Sequence, residues 1–370
     1  MDHIYRHKDV FLLESDKNGI TLELKYWTEG QINQAGDNVI WICHALTGDQ
    51  YASVWWAGLV GPGKIYDTDR NFVICVNVIG SCYGSTSPVS INPTTGEPYH
   101  FTFPKVTIRD IVLGFECLRK ELGISSIHTL VGGSFGGMQA LEWAVEQPNI
   151  IRNLVIIAAT AKQSPWAIAL NESQRLAIEA DDSLRSTKDC SPANKNGRKG
   201  LIAARSIAMI SYRSYIYYKN HQSGYYHQDS FDQESLDYRA TTYQRNCGER
   251  LANRFCTYCY WALTKTIDSH DVGKNRQSLE SALSRINARS IVISVSSDML
   301  YPPEESMFIA DHIPNAIYEV LYTDIGHDGF LVEIDQLTAI LNNFHLKDFR
   351  QWDYGREQPT EIEKPASFTN

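Results

Sequence analysis

The sequence predicts an α/β protein: a mostly parallel sheet flanked by helices, with an all-helical lid inserted late in the chain. Three observations carry this. Short apolar runs alternate with helical patterns between residues 10 and 160, the alternation stops between 161 and 285, and it resumes from 289 to 330. Strands alternating with helices imply a parallel sheet covered on both faces. The division that follows is a core of residues 1–160 and 286–350, a lid of 161–285 and a C-terminal tail of 351–370.

In chain order, NVIWICHALTG (38–48), FVICVNVIG (72–80) and IHTLVGG (127–133) have the unbroken apolar character of buried strands, each ending at a small residue. RDIVLGFECLRKELG (109–123) repeats its apolar residues at helical spacing and closes on Gly123. GGMQALEWAVEQP follows the third strand as a second helix, and LVIIAAT (154–160) is a further strand. In the lid, ALNESQRLAIEA and GLIAARSIAMISYRSYIYY carry helical patterns between polar stretches at 181–200 and 219–243. RSIVISVSSD (289–298) and AIYEVLYTDIGHDGF (316–330) return to strands, and the polar tail from about 350 has the composition of a poorly ordered terminus.

With 43% hydrophobic and 21% charged residues, the 370-residue chain can bury a sizeable core, which excludes intrinsic disorder as its main description. A net charge of -9 argues against a general nucleic-acid or anionic-membrane surface, so small-molecule partners are expected. The start, MDHIYRHKDV, has charges where a signal peptide needs an apolar run, and no stretch reaches a membrane-spanning length. A cytoplasmic location is expected. Eight cysteines are too sparse for a disulfide scaffold, and Cys43, Cys75 and Cys117 sit in apolar runs as reduced, buried thiols.

Several motifs are set aside. Gly58 to Lys64 matches the start of a phosphate-binding loop, but Ile65 stands where Ser or Thr would hold magnesium and Pro62 removes an N–H from the cradle. Gly132, Gly133, Gly136 and Gly137 lack the dinucleotide register because Ser134 occupies a required glycine position. Cys256 and Cys259 form a lone C-x-x-C with no second pair, so no metal site is expected, and two helix-borne thiols facing the core are the simpler account. The sequon Asn171-Glu172-Ser173 means nothing without secretion.

Gly132-Gly133-Ser134-Phe135-Gly136 fits G-x-S-x-G and lies where that motif's mechanics demand, after a strand and immediately before a helix. Small flanking residues permit a sharp turn that lifts the serine hydroxyl above the sheet edge. A serine needs a base to take its proton and an acid to orient that base. Asp298 ends the run IVISVSS, and His327 sits in the loop DIGHDG after the next strand. The chain order Ser, Asp, His is that of α/β-hydrolase triads. Glu304 or Glu305 could replace Asp298 as the acid. An oxyanion hole needs the N–H of the residue after the nucleophile, Phe135, and one from an early loop, for which His44-Ala45-Leu46-Thr47-Gly48 is the candidate, with Leu46 as donor.

HALTG, NVIGSCYGSTSP, FPKVTIRD, GGSFGGMQALEWA, the lid segments NESQR and SYRS, SSDMLYPP and GHDGF together resemble the homoserine O-acetyltransferase family, acyl-CoA-dependent enzymes of methionine biosynthesis within the α/β-hydrolase superfamily. The resemblance runs from about residue 10 to 345, in the family's order. It implies nucleophile Ser134, acid Asp298 and base His327, with Arg213 gripping the substrate carboxylate and Asp328 its amino group. It also implies acetyl-CoA and L-homoserine as substrates, no separate cofactor, and a homodimer formed through the lid. Taken alone, Arg213 fits equally an ion pair in a tyrosine-rich lid helix and a bidentate grip on a carboxylate. Two stretches depart from the family's pattern: Asp49-Gln50-Tyr51-Ala52-Ser53 where an A-N-S-D-like run is common, and RFCTYCY in place of an R-F-D-x-N-S-Y-like segment. Both bear on specificity more than on reaction type. The rival functions are a succinyl donor, a serine acceptor, simple ester or thioester hydrolysis with the same triad, and a catalytically inactive binding protein.

Overall fold

The computed structural model describes residues 1–185, 196–225 and 238–355. The chain opens with an antiparallel hairpin, β1 (Asp2–Phe11) and β2 (Ile20–Glu29), then enters β3 (Val39–Cys43), the single turn α1 (Ala52–Trp55) and β4 (Phe72–Val76). Helix α2 (Ile108–Glu121), β5 (Ile127–Gly133), α3 (Phe135–Glu146) and β6 (Ile151–Ile157) complete the first half of the core. The lid follows as α4 (Pro165–Glu179), α5 (Arg198–Tyr212), α6 (Tyr215–His221), α7 (Arg239–Ala252), α8 (Thr257–Asp268) and α9 (Leu279–Leu283). The core resumes with β7 (Arg289–Val295), α10 (Pro303–His312), β8 (Ile317–Leu321), α11 (Gly329–Val332) and α12 (Ile334–Gly355).

The eight strands form one sheet in the order β1-β2-β4-β3-β5-β6-β7-β8. Pairings β1–β2 and β2–β4 are antiparallel, and every pairing from β4 through β8 is parallel. All five residues of β3 are buried, as a strand covered on both faces requires. On one face Trp41, Leu130 and Ile156 pack with Phe115 of α2 and Met138 and Trp143 of α3; on the other Ile42, Val131 and Ile293 meet Leu337, Leu341 and Phe344 of α12. Parallel strands bring their C-terminal ends to one edge, so the loops after β3, β5, β7 and β8 converge there.

Helix α2 starts where Thr107 and Asp110 form a reciprocal capping box, and α4 where Ser164 caps Ala167 with Pro165 in the first turn. Three features differ from the sequence expectation. The hairpin β1–β2 is not marked by apolar runs, because the residues of β1 are exposed or half-buried up to the buried Phe11. The single pattern GLIAARSIAMISYRSYIYY divides into α5 and α6, because Arg213 is extended (φ -121°, ψ 143°) and Ser214 caps the next helix through Tyr217 N–H. Helix α12 continues to Gly355, past the point near 350 where the polar tail is expected to begin; residues 356–370 lie outside the described residues. Gly58 to Lys64 is a loop, as expected.

Candidate active site

Strand β5 runs directly into α3 with one residue between them, Ser134, held at φ 56° and ψ -123°. That backbone region is costly for a non-glycine residue and persists only where its surroundings over-determine it. The glycines explain how. A Cβ on Gly132 would lie 2.2 Å from the Gly136 carbonyl oxygen, one on Gly136 would lie 2.1 Å from the Cys43 carbonyl oxygen, and one on Gly133 would enter the Phe330 ring at 2.5 Å. The turn is therefore wedged between β3, its own helix and the segment after His327. Ser134 N–H donates to Ile157 O at 2.8 Å, and within 131–145 Ser134 alone is not buried.

Ser134 Oγ donates to His327 Nε2 at 2.7 Å, and His327 Nδ1 donates to Asp298 Oδ2 at 2.6 Å. Asp298 Oδ1 accepts the N–H groups of Leu300 (2.8 Å) and Tyr301 (3.0 Å), which fixes the carboxylate from behind. The choice of acid is thereby resolved geometrically: Glu305 is occupied with the Thr160 hydroxyl at 2.6 Å, and Asp298 faces the imidazole. His327 is buried among Tyr212, Tyr301 and Phe330. Burial disfavours its imidazolium, but the charge and hydrogen bond of Asp298, helped by Asp328 and opposed by Arg213, raise its pKa above the ordinary 6.5. A base raised in this way accepts the serine proton more readily.

The candidate oxyanion loop packs on the first turn of α3. Gln139 Nε2 donates to His44 O at 3.2 Å, and the Gly136 backbone sits against Cys43 and His44. Fully buried His44 spans the loop: its Nδ1 donates to Ala45 O at 2.8 Å while its Nε2 accepts Val78 N–H at 3.2 Å. These two bonds require a neutral ring with the proton on Nδ1, and burial lowers the pKa in agreement. Ser134 makes no side-chain cap to α3, so the Phe135 N–H is left at the helix N-terminus beside this loop. Leu46 lies buried in the same loop. The role of His44 is not visible in the sequence, where one histidine among 11 carries no mark.

Arg213 reaches the site because the helix breaks at it. Its Nη1 donates to Asp328 and to Tyr212 O (3.2 Å), and its Nε to Tyr243 Oη (3.1 Å). Arg213 and Asp328 thus form an ion pair beside the triad. The lid is tied to the same loop by Ser214 N–H donating to Ile325 O at 3.1 Å. Two turns back, the Arg205 guanidinium lies 5.0 Å from the Tyr212 ring centre, and Tyr212 in turn packs 5.6 Å from His327. A separate cavity of about 470 Å³, near Lys64, Arg70, His128 and Arg152, includes none of the triad residues. Among the described residues no cluster of His, Cys, Asp and Glu could hold a metal.

A mostly parallel sheet with serine, aspartate and histidine after β5, β7 and β8, the serine on a strained strand-to-helix turn, defines the alpha/beta hydrolase fold, whose family model matches residues 38–334. A homoserine O-acetyltransferase from Cyclobacterium marinum is 41% identical over 345 residues, covering 93% of this chain and 95% of the relative. Among solved structures, homoserine O-acetyltransferase from Bacillus anthracis superposes with a TM-score of 0.83 at 25% identity, covering 93% of this chain and 97% of that one. Esterase E22, at 23% identity and a TM-score of 0.82 over 93% of this chain and 99% of its own, shares the fold. The chain belongs to the homoserine O-acetyltransferase family.

Proposed function

We propose that this protein transfers the acetyl group of acetyl-CoA to the side-chain hydroxyl of L-homoserine through an acetyl-serine intermediate, a step of methionine biosynthesis. The observation that carries this is the Ser134–His327–Asp298 relay lying beside the Arg213–Asp328 pair. The relay supplies a nucleophile; the pair supplies one positive and one negative group for an amino-acid acceptor. The relatives' shared name points to the same acceptor.

In the first half-reaction Ser134 Oγ attacks the thioester carbonyl while His327 Nε2 takes the hydroxyl proton and Asp298 stabilises the imidazolium. The N–H groups of Phe135 and Leu46 receive the developing oxyanion. The C–S bond breaks, and the CoA sulfur leaves as a thiol with the proton held on Nε2. In the second, the homoserine hydroxyl gives its proton to Nε2 and attacks the acetyl-serine; the ester product departs and Ser134 recovers the proton. Arg213 holds the acceptor carboxylate and Asp328 its ammonium. The scheme draws on acetyl-CoA as a substrate and on no resident cofactor or metal. A homodimer formed through the lid and a cytoplasmic location belong to the same proposal. No described helix is long and apolar enough to cross a membrane.

The test incubates purified protein with acetyl-CoA or succinyl-CoA and with homoserine, serine or water, following free thiol and product mass. O-Acetylhomoserine formed faster than acetate, O-acetylserine or a succinyl ester supports the proposal. Rapid thiol release with water alone makes the protein a thioesterase.

A further inference from the structure

The lone C-x-x-C of the lid is not alone in space. Cys256 is the N-cap of α8 and Cys259 lies one turn in, and Cys256 and Cys82 are the thiols that neighbour Cys259. Cys82 belongs to the core, in the loop that follows β4. Three other contacts hold that loop against the lid. A Cβ on Gly80 would come within 2.9 Å of Leu263 Cδ2, the Tyr83 and Phe255 rings meet edge to face at 5.6 Å, and Arg254 Nη1 donates to Tyr83 Oη at 2.7 Å. The same Arg254 Nη1 donates to Thr47 O at 2.7 Å, inside the candidate oxyanion loop. The three thiols therefore sit where lid, core and oxyanion loop join.

We propose that these cysteines form an oxidant-responsive site, in which Cys82 and Cys259 close a reversible disulfide that ties α8 to the core and slows the enzyme. Access orders the chemistry: Cys82 is half-buried, whereas Cys256 and Cys259 are buried. The Cys82 thiolate attacks one oxygen of hydrogen peroxide, the O–O bond breaks, and hydroxide leaves to become water, giving a sulfenic acid. Cys259 sulfur then attacks the Cys82 sulfur; the S–O bond breaks and a second water leaves with the Cys259 proton. Two thiols are oxidised and one peroxide is reduced. Burial, with Cys256 and Cys82 as neighbours, holds the Cys259 thiol well above its ordinary pKa, so closure should be slow at neutral pH and faster in alkali. A disulfide fixes its sulfurs at about 2.05 Å, so forming it would lock α8 covalently to the loop and remove their freedom to move apart. Misplacements of ~1 Å near a reaction centre are worth up to ~100-fold in rate.

The test treats the full chain with hydrogen peroxide, blocks remaining thiols and maps peptides by mass. A Cys82–Cys259 linked pair is expected, with transfer activity at least ~10-fold below the reduced protein and restored by dithiothreitol. Cys82→Ser should keep basal activity, form no such link and resist peroxide; Cys259→Ala should leave Cys82 to progress to sulfinic acid. A link confined to Cys256–Cys259, no link, or a Cys82–Cys259 link with undiminished transfer overturns the proposal. The peptide map stands independently of acetyl transfer, so a failure of the proposed function is distinguishable from a failure here.

Discussion

Arg213 and Asp328 are bonded to each other across the seam between the lid and the loop carrying His327. A zwitterion can enter that pair by exchanging one ion pair for two, while a plain ester cannot. Arg213→Lys keeps the charge but loses the planar fork, so the homoserine KM should rise by about 10- to 100-fold with transfer kcat also falling, while acylation from acetyl-CoA is unchanged. Asp328→Asn should act likewise, and the double variant should lose less than the sum because the two share one partner. Stopped-flow thiol release separates the half-reactions; equal slowing of both would make the pair structural.

The raised pKa of His327 fixes the sign of the pH dependence. The base must be neutral to take the serine proton, so kcat/KM for acetyl-CoA should fall as pH drops through a value above 6.5. Asp298 supports the imidazolium and Arg213 opposes it. Asp298→Asn should therefore move the acid limb down and cut kcat by up to ~10⁴-fold, whereas Arg213→Gln should move it up. A pH–rate profile in which both variants shift the same way contradicts this assignment.

His44 braces the candidate oxyanion loop through its bonds to Ala45 and Val78. His44→Ala would leave a buried N–H and carbonyl without partners, a cost of about 1–3 kcal/mol each at most. Urea unfolding should register this, and kcat for acylation should fall with little change in the homoserine KM. A loss of stability with full kcat would separate the loop from the oxyanion.

Gly136→Ala tests the elbow's packing from the other side. Its Cβ would meet the Cys43 carbonyl oxygen at 2.1 Å, a backbone atom that cannot swing aside. Strand β3 and α3 must separate, so the expected outcome is a loss of ~2 kcal/mol or more by urea unfolding together with a collapse of activity. Wild-type values in both would mean that Gly136 has room the packing denies.

The parallel strands are legible in the sequence because burial on two faces leaves runs such as Val39–Cys43 with no polar residue, and the elbow because glycine is demanded on both sides of Ser134. The hairpin is not, since an edge strand such as β1 faces water along most of its length. The break at Arg213 has a local signal, the capping Ser214, hidden inside a continuous helical pattern. Choosing Asp298 over Glu305 depends on Thr160, 145 residues away, and the three-thiol cluster on joining Cys82 to the lid. Such pairings are properties of the folded chain and leave no periodic trace.

In the proposed reaction Ser134 carries the acetyl group between the two half-reactions. Mixing the protein with acetyl-CoA alone and reading free thiol and intact mass tests it most directly. The expected result is a thiol burst near one per active site, slow turnover afterwards, an acetyl adduct on the peptide containing Ser134, and discharge of that adduct to O-acetylhomoserine on adding homoserine. In Ser134→Ala the burst and adduct should vanish and transfer should drop by as much as ~10⁶-fold. Transfer that proceeds with no trapped adduct and intersecting double-reciprocal lines, or that survives in Ser134→Ala, would contradict it.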